Sequence, residues 1–138
     1  MAVVLIVDDH REVRETMSAL VREEGHEALT ADGVRRTRQL LAACHIDLIL
    51  LDVHMPEIDG LTLLRELRRS QPRAGEKRIP VVICSASDVH RPAAMADGAD
   101  AYVLKSDFES LYDALQKYAP KAHSVPIRGW VERDGRQG

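Results

Sequence analysis

The sequence predicts a doubly wound α/β domain, a parallel sheet covered by helices on both faces, and three observations predict it. Four short apolar runs, Val3 to Val7, Leu48 to Leu51, Val81 to Cys84 and Ala101 to Leu104, are rich in branched residues and show no polar alternation. Strands buried on both faces read this way. Segments of helical period lie between them, and charged residues, Asp8, Asp9, Asp52 and Lys105, stand where the runs give out. In an open α/β sheet that edge is where ligands bind.

The elements follow in order. After the first strand, Val13, Met17, Leu20 and Val21 mark one face of a helix over residues 11 to 24, and Gly25 stops it. His26 to Thr30 reads as a shorter second strand, and Val34 to Ala43 as a helix with Leu40 and Leu41 toward the sheet and Arg35, Arg36 and Arg38 in water. The third strand ends at Asp52, and Pro56 and Gly60 make the next segment a loop. Leu61, Leu64 and Leu67 carry a third helix to about Ser70, and Gln71 to Arg78 is a polar connector. Ile79-Pro80 leads into the fourth strand, Ala93 to Ala96 lies in a short fourth helix closing near Gly98, and Phe108 to Tyr118 forms the last helix. Right-handed crossovers put these helices on both sheet faces, and such a chain commonly takes the flavodoxin-like strand order 2-1-3-4-5. Strands one and three are then neighbours, which brings Asp8 and Asp9 beside Asp52.

Composition sets the frame. With 138 residues the chain suits one domain, and 45% hydrophobic residues with a single Phe and a single Trp imply an aliphatic core. Residues 1–119 are expected to form it, and 120–138, interrupted by Pro120, Pro126, Gly129 and Gly135, to be a mobile tail or linker. No apolar run approaches the roughly 18 residues of a membrane span, and the N-terminus lacks the pattern of a signal peptide. A cytoplasmic protein with no membrane partner is the expectation. Cys44 and Cys84 sit in a helix-like and a strand-like segment and are expected to be buried thiols. The arginines at Arg65, Arg68, Arg69, Arg73 and Arg78 are interrupted by Glu66 and Glu76, so they read as a solvated helix face and no direct nucleic-acid contact is expected.

Three crowded carboxylates repel one another, and a compact divalent cation keeps them ionised. Oxygen-only ligands favour Mg²⁺, whose usual partners are carboxylates and phosphate oxygens, so the chemistry indicated is phosphoryl transfer. Asp52, on the central strand, can serve as nucleophile and form an acyl phosphate. Lys105 would pair with the phosphate, and Ser85, ending strand four, offers it a hydroxyl. His10 could ligate metal, but without a second His or Cys in register a surface role fits better. Asp59 reads as a structural turn or cap residue.

These motifs together resemble the receiver domain of the response regulators of two-component signalling. The likeness spans about residues 2 to 118: the acidic pair Asp8-Asp9, the stretch Asp52-Val53-His54-Met55-Pro56-Glu57-Ile58-Asp59-Gly60, the Ser85-Ala86 position, and Tyr102 three residues before Lys105. The extent is close to that of the single-domain chemotaxis regulators. The resemblance implies that Asp52 takes a phosphoryl group from a sensor histidine kinase or phosphotransfer protein. It also implies that Asp9, Asp52 and the backbone carbonyl of His54 ligate Mg²⁺ directly, that Asp8 acts through a metal-bound water, and that Ser85 and Lys105 hold phosphate oxygens. On phosphorylation Ser85 and Tyr102 would shift as switch residues and alter the surface of the fourth helix, fifth strand and fifth helix, where a partner or a second copy docks as a phosphorylation-dependent homodimer. His54 and Ser87 stand where side chains tune attack by water. Such a module catalyses only its own phosphorylation and dephosphorylation and is not a turnover enzyme.

The sequence departs from that pattern in three places. Ser106 follows Lys105 where the family usually has proline, Ser85 to Lys105 is about two residues short, and Gln71 to Ile79 is long. A shortened fourth helix is expected, and two other functions remain open: a receiver-like scaffold that works without phosphate, and a small aspartyl-phosphate phosphatase. The phosphatase usually needs a second acid two residues after its nucleophile, and that place holds His54.

Overall fold

The computed structural model describes residues 1–70 and 78–119. Of the connector expected over Gln71 to Arg78, residues 71–77 lie outside the described residues, as does the tail expected over 120–138. The chain runs β1 (Val3–Val7), α1 (Arg11–Glu23), β2 (Glu27–Ala31), α2 (Val34–Ala43), β3 (Leu48–Asp52), α3 (Gly60–Arg69), β4 (Val81–Ser85), a 3₁₀ turn (Asp88–His90), α4 (Arg91–Ala96), β5 (Ala101–Leu104) and α5 (Phe108–Tyr118). The five strands pair in parallel in the order β2-β1-β3-β4-β5, the flavodoxin-like arrangement.

The period-2 geometry of strands explains why continuous apolar runs were needed: alternate side chains feed two separate cores. Val4, Ile6, Leu48, Leu50, Val82, Cys84 and Val103 point to the side closed by Met17 and Val21 of α1 and Leu111, Ala114 and Leu115 of α5. Leu5, Val7, Ile49, Leu51, Val81, Ile83 and Tyr102 point to the other, closed by Val34 and Leu40 of α2, Leu61, Leu63 and Leu64 of α3 and Ala94 of α4. The edge strand β2 buries only Ala31 fully. Gly25, at φ 87°, takes the left-handed position that ends α1, its N–H bonding the Arg22 carbonyl at 2.9 Å.

Three expectations are corrected. The second strand starts at Glu27, because His26 is 4% exposed and its Nδ1 accepts a bond from the Ala2 N–H at 3.0 Å, which fixes it as the turn into the strand. Cys44 is exposed: α2 ends at Ala43 and Cys44 is its extended C-cap, so its side chain leaves the packed face, whereas Cys84 is buried. Arg68 is not solvated, since its guanidinium donates to the carbonyls of Gly98 at 2.9 Å and Ile79 at 2.8 Å and to Asp100 Oδ2 at 2.8 Å. That triple bond pattern joins α3 to the starts of β4 and β5, closing the space left by a six-residue α4.

Candidate phosphoacceptor site

The strand order delivers the site. Val7 pairs with Leu51, so Asp8, one residue past β1, comes level with Asp52 at the end of β3. Both carboxylates are buried, at 1% and 2% exposure. Across the sheet Leu104 pairs with Ser85, and the Lys105 N–H bonds the Ser85 carbonyl at 2.8 Å. From there the Lys105 ammonium reaches back over two strands to lie 2.7 Å from Asp8 Oδ2 and 3.0 Å from Asp52 Oδ1. The described residues contain no cis peptide bond, so the Lys105-Ser106 bond is trans and still delivers the lysine.

Asp9 is partly exposed, with Oδ1 3.0 Å from His10 Nδ1, and the same ring nitrogen is 3.3 Å from Asp8 Oδ1. One ligand atom each from Asp8, Asp9, His10 and Asp52 falls within 4.8 Å of the others. Asp52 Oδ2 is buried and has no hydrogen-bond partner among the described residues. Carboxylate oxygens at this density, with one left unpaired out of contact with water, fit a small hard cation such as Mg²⁺.

Burial is the main influence on Asp52 and raises its pKa above the usual carboxylate value, while the Lys105 contact pulls the other way and the Asp8 charge adds to the rise. For Lys105 burial works against the charge, but the bonds to Asp8 and Asp52 outweigh it and the pKa is raised. Beneath the site the Cys84 thiol is pushed up to about 12 by burial. A thiol held so far from ionisation is no nucleophile.

The loop after Asp52 is built around close approach. Gly60 donates its N–H to the Val53 carbonyl at 2.7 Å. A Cβ there would collide with the Asp52 carbonyl oxygen and come within 2.9 Å of its carbon. Asp59 caps α3 by accepting the Thr62 N–H at 2.8 Å, the structural part the sequence indicated. Glu57 adopts φ 75°, a left-handed conformation in a non-glycine residue, inside this same loop.

The remaining sequence-derived residues stand around the pocket. Ser85 is 1% exposed, and its Oγ accepts the Ser87 N–H at a long 3.4 Å. Ser87 uses its own Oγ to accept from Val89 N–H at 3.4 Å, capping the 3₁₀ turn. The exposed His54 side chain meets His90 edge to face, ring centroids 5.0 Å apart. Tyr102 is already buried, its hydroxyl donating to the Ser87 carbonyl at 2.6 Å. Arg91 completes that arrangement with its guanidinium 4.7 Å from the ring centroid and an N–H to the Tyr102 carbonyl at 3.1 Å.

Sequence reasoning missed Arg91, Arg14 and the packing use of Gly60. Arg14 donates to the Asp8 carbonyl at 2.9 Å, and its place one turn into the helix after the acidic pair was the available signal. Arg91 carried none, because its contact depends on how α4 crosses β5.

Comparison with known proteins agrees with this geometry. The family model for the response regulator receiver domain matches residues 4–116. The chain is similar to the transcriptional regulatory protein AruR of Pseudomonas aeruginosa, 36% identical over 107 residues that cover 74% of this chain and 42% of AruR. It is also similar to the regulatory protein AtoC of Escherichia coli, 36% identical over 117 residues, 83% of this chain and 24% of AtoC. The chain therefore spans less than half the length of either relative. Among solved structures, the response regulator protein TrrA from Thermotoga maritima in complex with Mg²⁺-BeF superposes with a TM-score of 0.74 at 30% identity, covering 86% of this chain and 99% of that one.

Proposed function

The chain belongs to the response regulator receiver domain family of two-component systems, and from that premise we propose that Asp52 accepts a phosphoryl group with Mg²⁺ held beside it. The observation that carries this reading is the buried, unpartnered Asp52 Oδ2 next to a lysine already within 3.0 Å of the same carboxylate. That TrrA, at 30% identity, was solved with Mg²⁺-BeF supports it.

Asp9, Asp52 and the His54 carbonyl would hold Mg²⁺ directly and Asp8 through a water. When bound, the ion neutralises charge on the transferring phosphoryl group. The donor is a phosphohistidine of a sensor histidine kinase or phosphotransfer protein. An Asp52 carboxylate oxygen attacks its phosphorus, the P–N bond breaks with its electron pair returning to the imidazole, and an acyl phosphate remains. Lys105 then trades its contact with Asp52 for a phosphate oxygen, and the Ser85 hydroxyl turns from its weak backbone contact to donate to another. His54 and Ser87, at the mouth, govern how water reaches the acyl phosphate. The chain acts on itself and not on a separate substrate, so it is a switch and no turnover enzyme.

Output passes through α4, β5 and α5. Val89, Met95, Phe108 and Tyr112, large apolar residues exposed in the folded chain, all belong to this part of the molecule. A downstream partner, or a second copy forming a phosphorylation-dependent homodimer, would cover them. Contact with nucleic acid or membrane is no part of the proposal, and among the described residues no helix is long and apolar enough to cross a membrane. A second reading, partner binding without phosphate, draws on one observation: Tyr102 is already buried and bonded to Ser87.

Incubation with acetyl phosphate tests the first reading. Label is expected with Mg²⁺, and none with chelator or in Asp52→Asn. Label persisting in Asp52→Asn would remove Asp52 from the mechanism, and failure of the native chain to label would favour the second reading.

A further inference from the structure

Away from the acidic pocket, α1 presents a second charged face that the proposed phosphoryl transfer does not use. Residues Arg11, Glu15, Ser18 and Arg22 follow one another at helical spacing, and with Arg14 and Thr30 of the edge strand they line a groove of about 500 Å³. The groove is open and its wall is polar, which suits a small charged ligand held by side-chain ends.

Two of these side chains lack partners. Ser18 is 4% exposed, and its Oγ has no hydrogen-bond partner among the described residues, an uncommon state for a buried hydroxyl. Ser18 belongs to the groove wall, so its hydroxyl is available there without a bond to give up. The Arg22 side chain makes no ion pair or hydrogen bond among the described residues. Arg11 spends only its Nε on Glu15, at 3.1 Å, and Arg14 only one N–H on the Asp8 carbonyl, so guanidinium donors remain on both.

Charge and composition select the ligand. Three arginines face one glutamate, and no lining side chain is aromatic or aliphatic. Such a wall reads charge and hydrogen-bond acceptors and offers little apolar surface to an uncharged ring. A tetrahedral phosphate, with several acceptor oxygens pointing in different directions, uses guanidinium forks and hydroxyls together.

We propose that the α1 groove binds a small phosphate-bearing anion through Arg22, Arg11, Ser18 and Thr30, at a site separate from Asp52. Arg14 links the two, because a ligand that draws its guanidinium outward loosens its bond to the Asp8 carbonyl.

The test titrates pyrophosphate into the full chain, free of divalent metal, and follows backbone amide resonances. Saturable shifts are expected along α1 and at Thr30, and they persist in Asp52→Asn, which separates this site from the phosphoacceptor. Arg22→Ala should weaken binding about tenfold, Ser18→Ala about threefold, and Arg22→Lys less than Arg22→Ala. Arg22 is exposed, so its variants are expected to keep the native spectrum. ADP should shift the same amides and adenosine none, since the phosphate is what the groove reads. No saturable shift up to about 10 mM, unchanged affinity in Arg22→Ala, shifts confined to the acidic pocket, or adenosine binding as tightly as ADP would each overturn the proposal.

Discussion

The acidic pocket and the α1 groove lie at opposite ends of one backbone contact, Arg14 to Asp8, and they treat charge in opposite ways. In the pocket Lys105 sits within 3.0 Å of two buried carboxylates, so each charge there depends on another for its place in the fold. In the groove the Arg22 side chain has no ion pair or hydrogen bond among the described residues, and its charge meets only the last turn of α1. Mutual dependence makes the first site part of the folded core. Independence leaves the second free to respond to whatever binds.

The largest difference should come from Lys105→Met. It leaves Asp8 and Asp52 buried together with no cation between them, and breaking a buried pair costs about 3 kcal/mol. Urea unfolding without Mg²⁺ measures it; a loss under about 0.5 kcal/mol would show that the pair is not coupled as the distances indicate.

Gly60→Ala comes next. The added Cβ meets the Asp52 backbone, which cannot yield as a flexible side chain would, and a cost of about 2 kcal/mol with slower acetyl phosphate labelling is expected. Gly33→Ala is the control, since a Cβ there meets nothing within 4 Å and the φ of 178° suits any residue.

Asp52→Asn should modestly stabilise the metal-free chain at neutral pH. Because burial raises the Asp52 pKa, the group's contribution is most favourable below the ordinary carboxylate range and declines as pH rises through the raised folded value. The advantage of the Asn variant should therefore shrink toward acid pH, and an advantage that grows there would contradict the burial argument. Unfolding curves across pH read it directly.

Smaller still is the effect of Arg22→Ala on stability, within about 0.5 kcal/mol of native. A larger loss would mean that Arg22 has a structural partner. Thiol labelling gives a parallel contrast with no change in fold: Cys44, exposed, should react with a maleimide at neutral pH, while Cys84, buried with its thiol pushed up to about 12, should react only on unfolding.

Much of this was legible in the residues. Strands buried on both faces announce themselves by unbroken apolar runs, and the run ends placed Asp8, Asp52 and Lys105 before any contact was known. Strand order did the rest, because parallel pairing of β1 with β3 leaves Asp8 and Asp52 side by side. The shortened fourth helix was also legible, from the distance between Ser85 and Lys105 along the chain.

What escaped depends on tertiary crossing. Arg68 has the spacing of a solvated arginine, yet three acceptors from two distant turns converge on it. Arg91 over Tyr102 is the same case. Cys44 was missed for a simpler reason: as the extended C-cap just past the helix end at Ala43 it no longer follows the helical period, and its side chain turns from the packed face into water.

Asp52 alone among the three carboxylates is expected to form the acyl phosphate. Borohydride reduces an acyl phosphate to an alcohol, so treating the labelled chain with it and sequencing its peptides by mass spectrometry reads the acceptor directly. Homoserine is expected at position 52 only, formed with Mg²⁺ and absent without it. Homoserine at position 8 or 9, or a phosphorylated chain that yields none at 52, would contradict it.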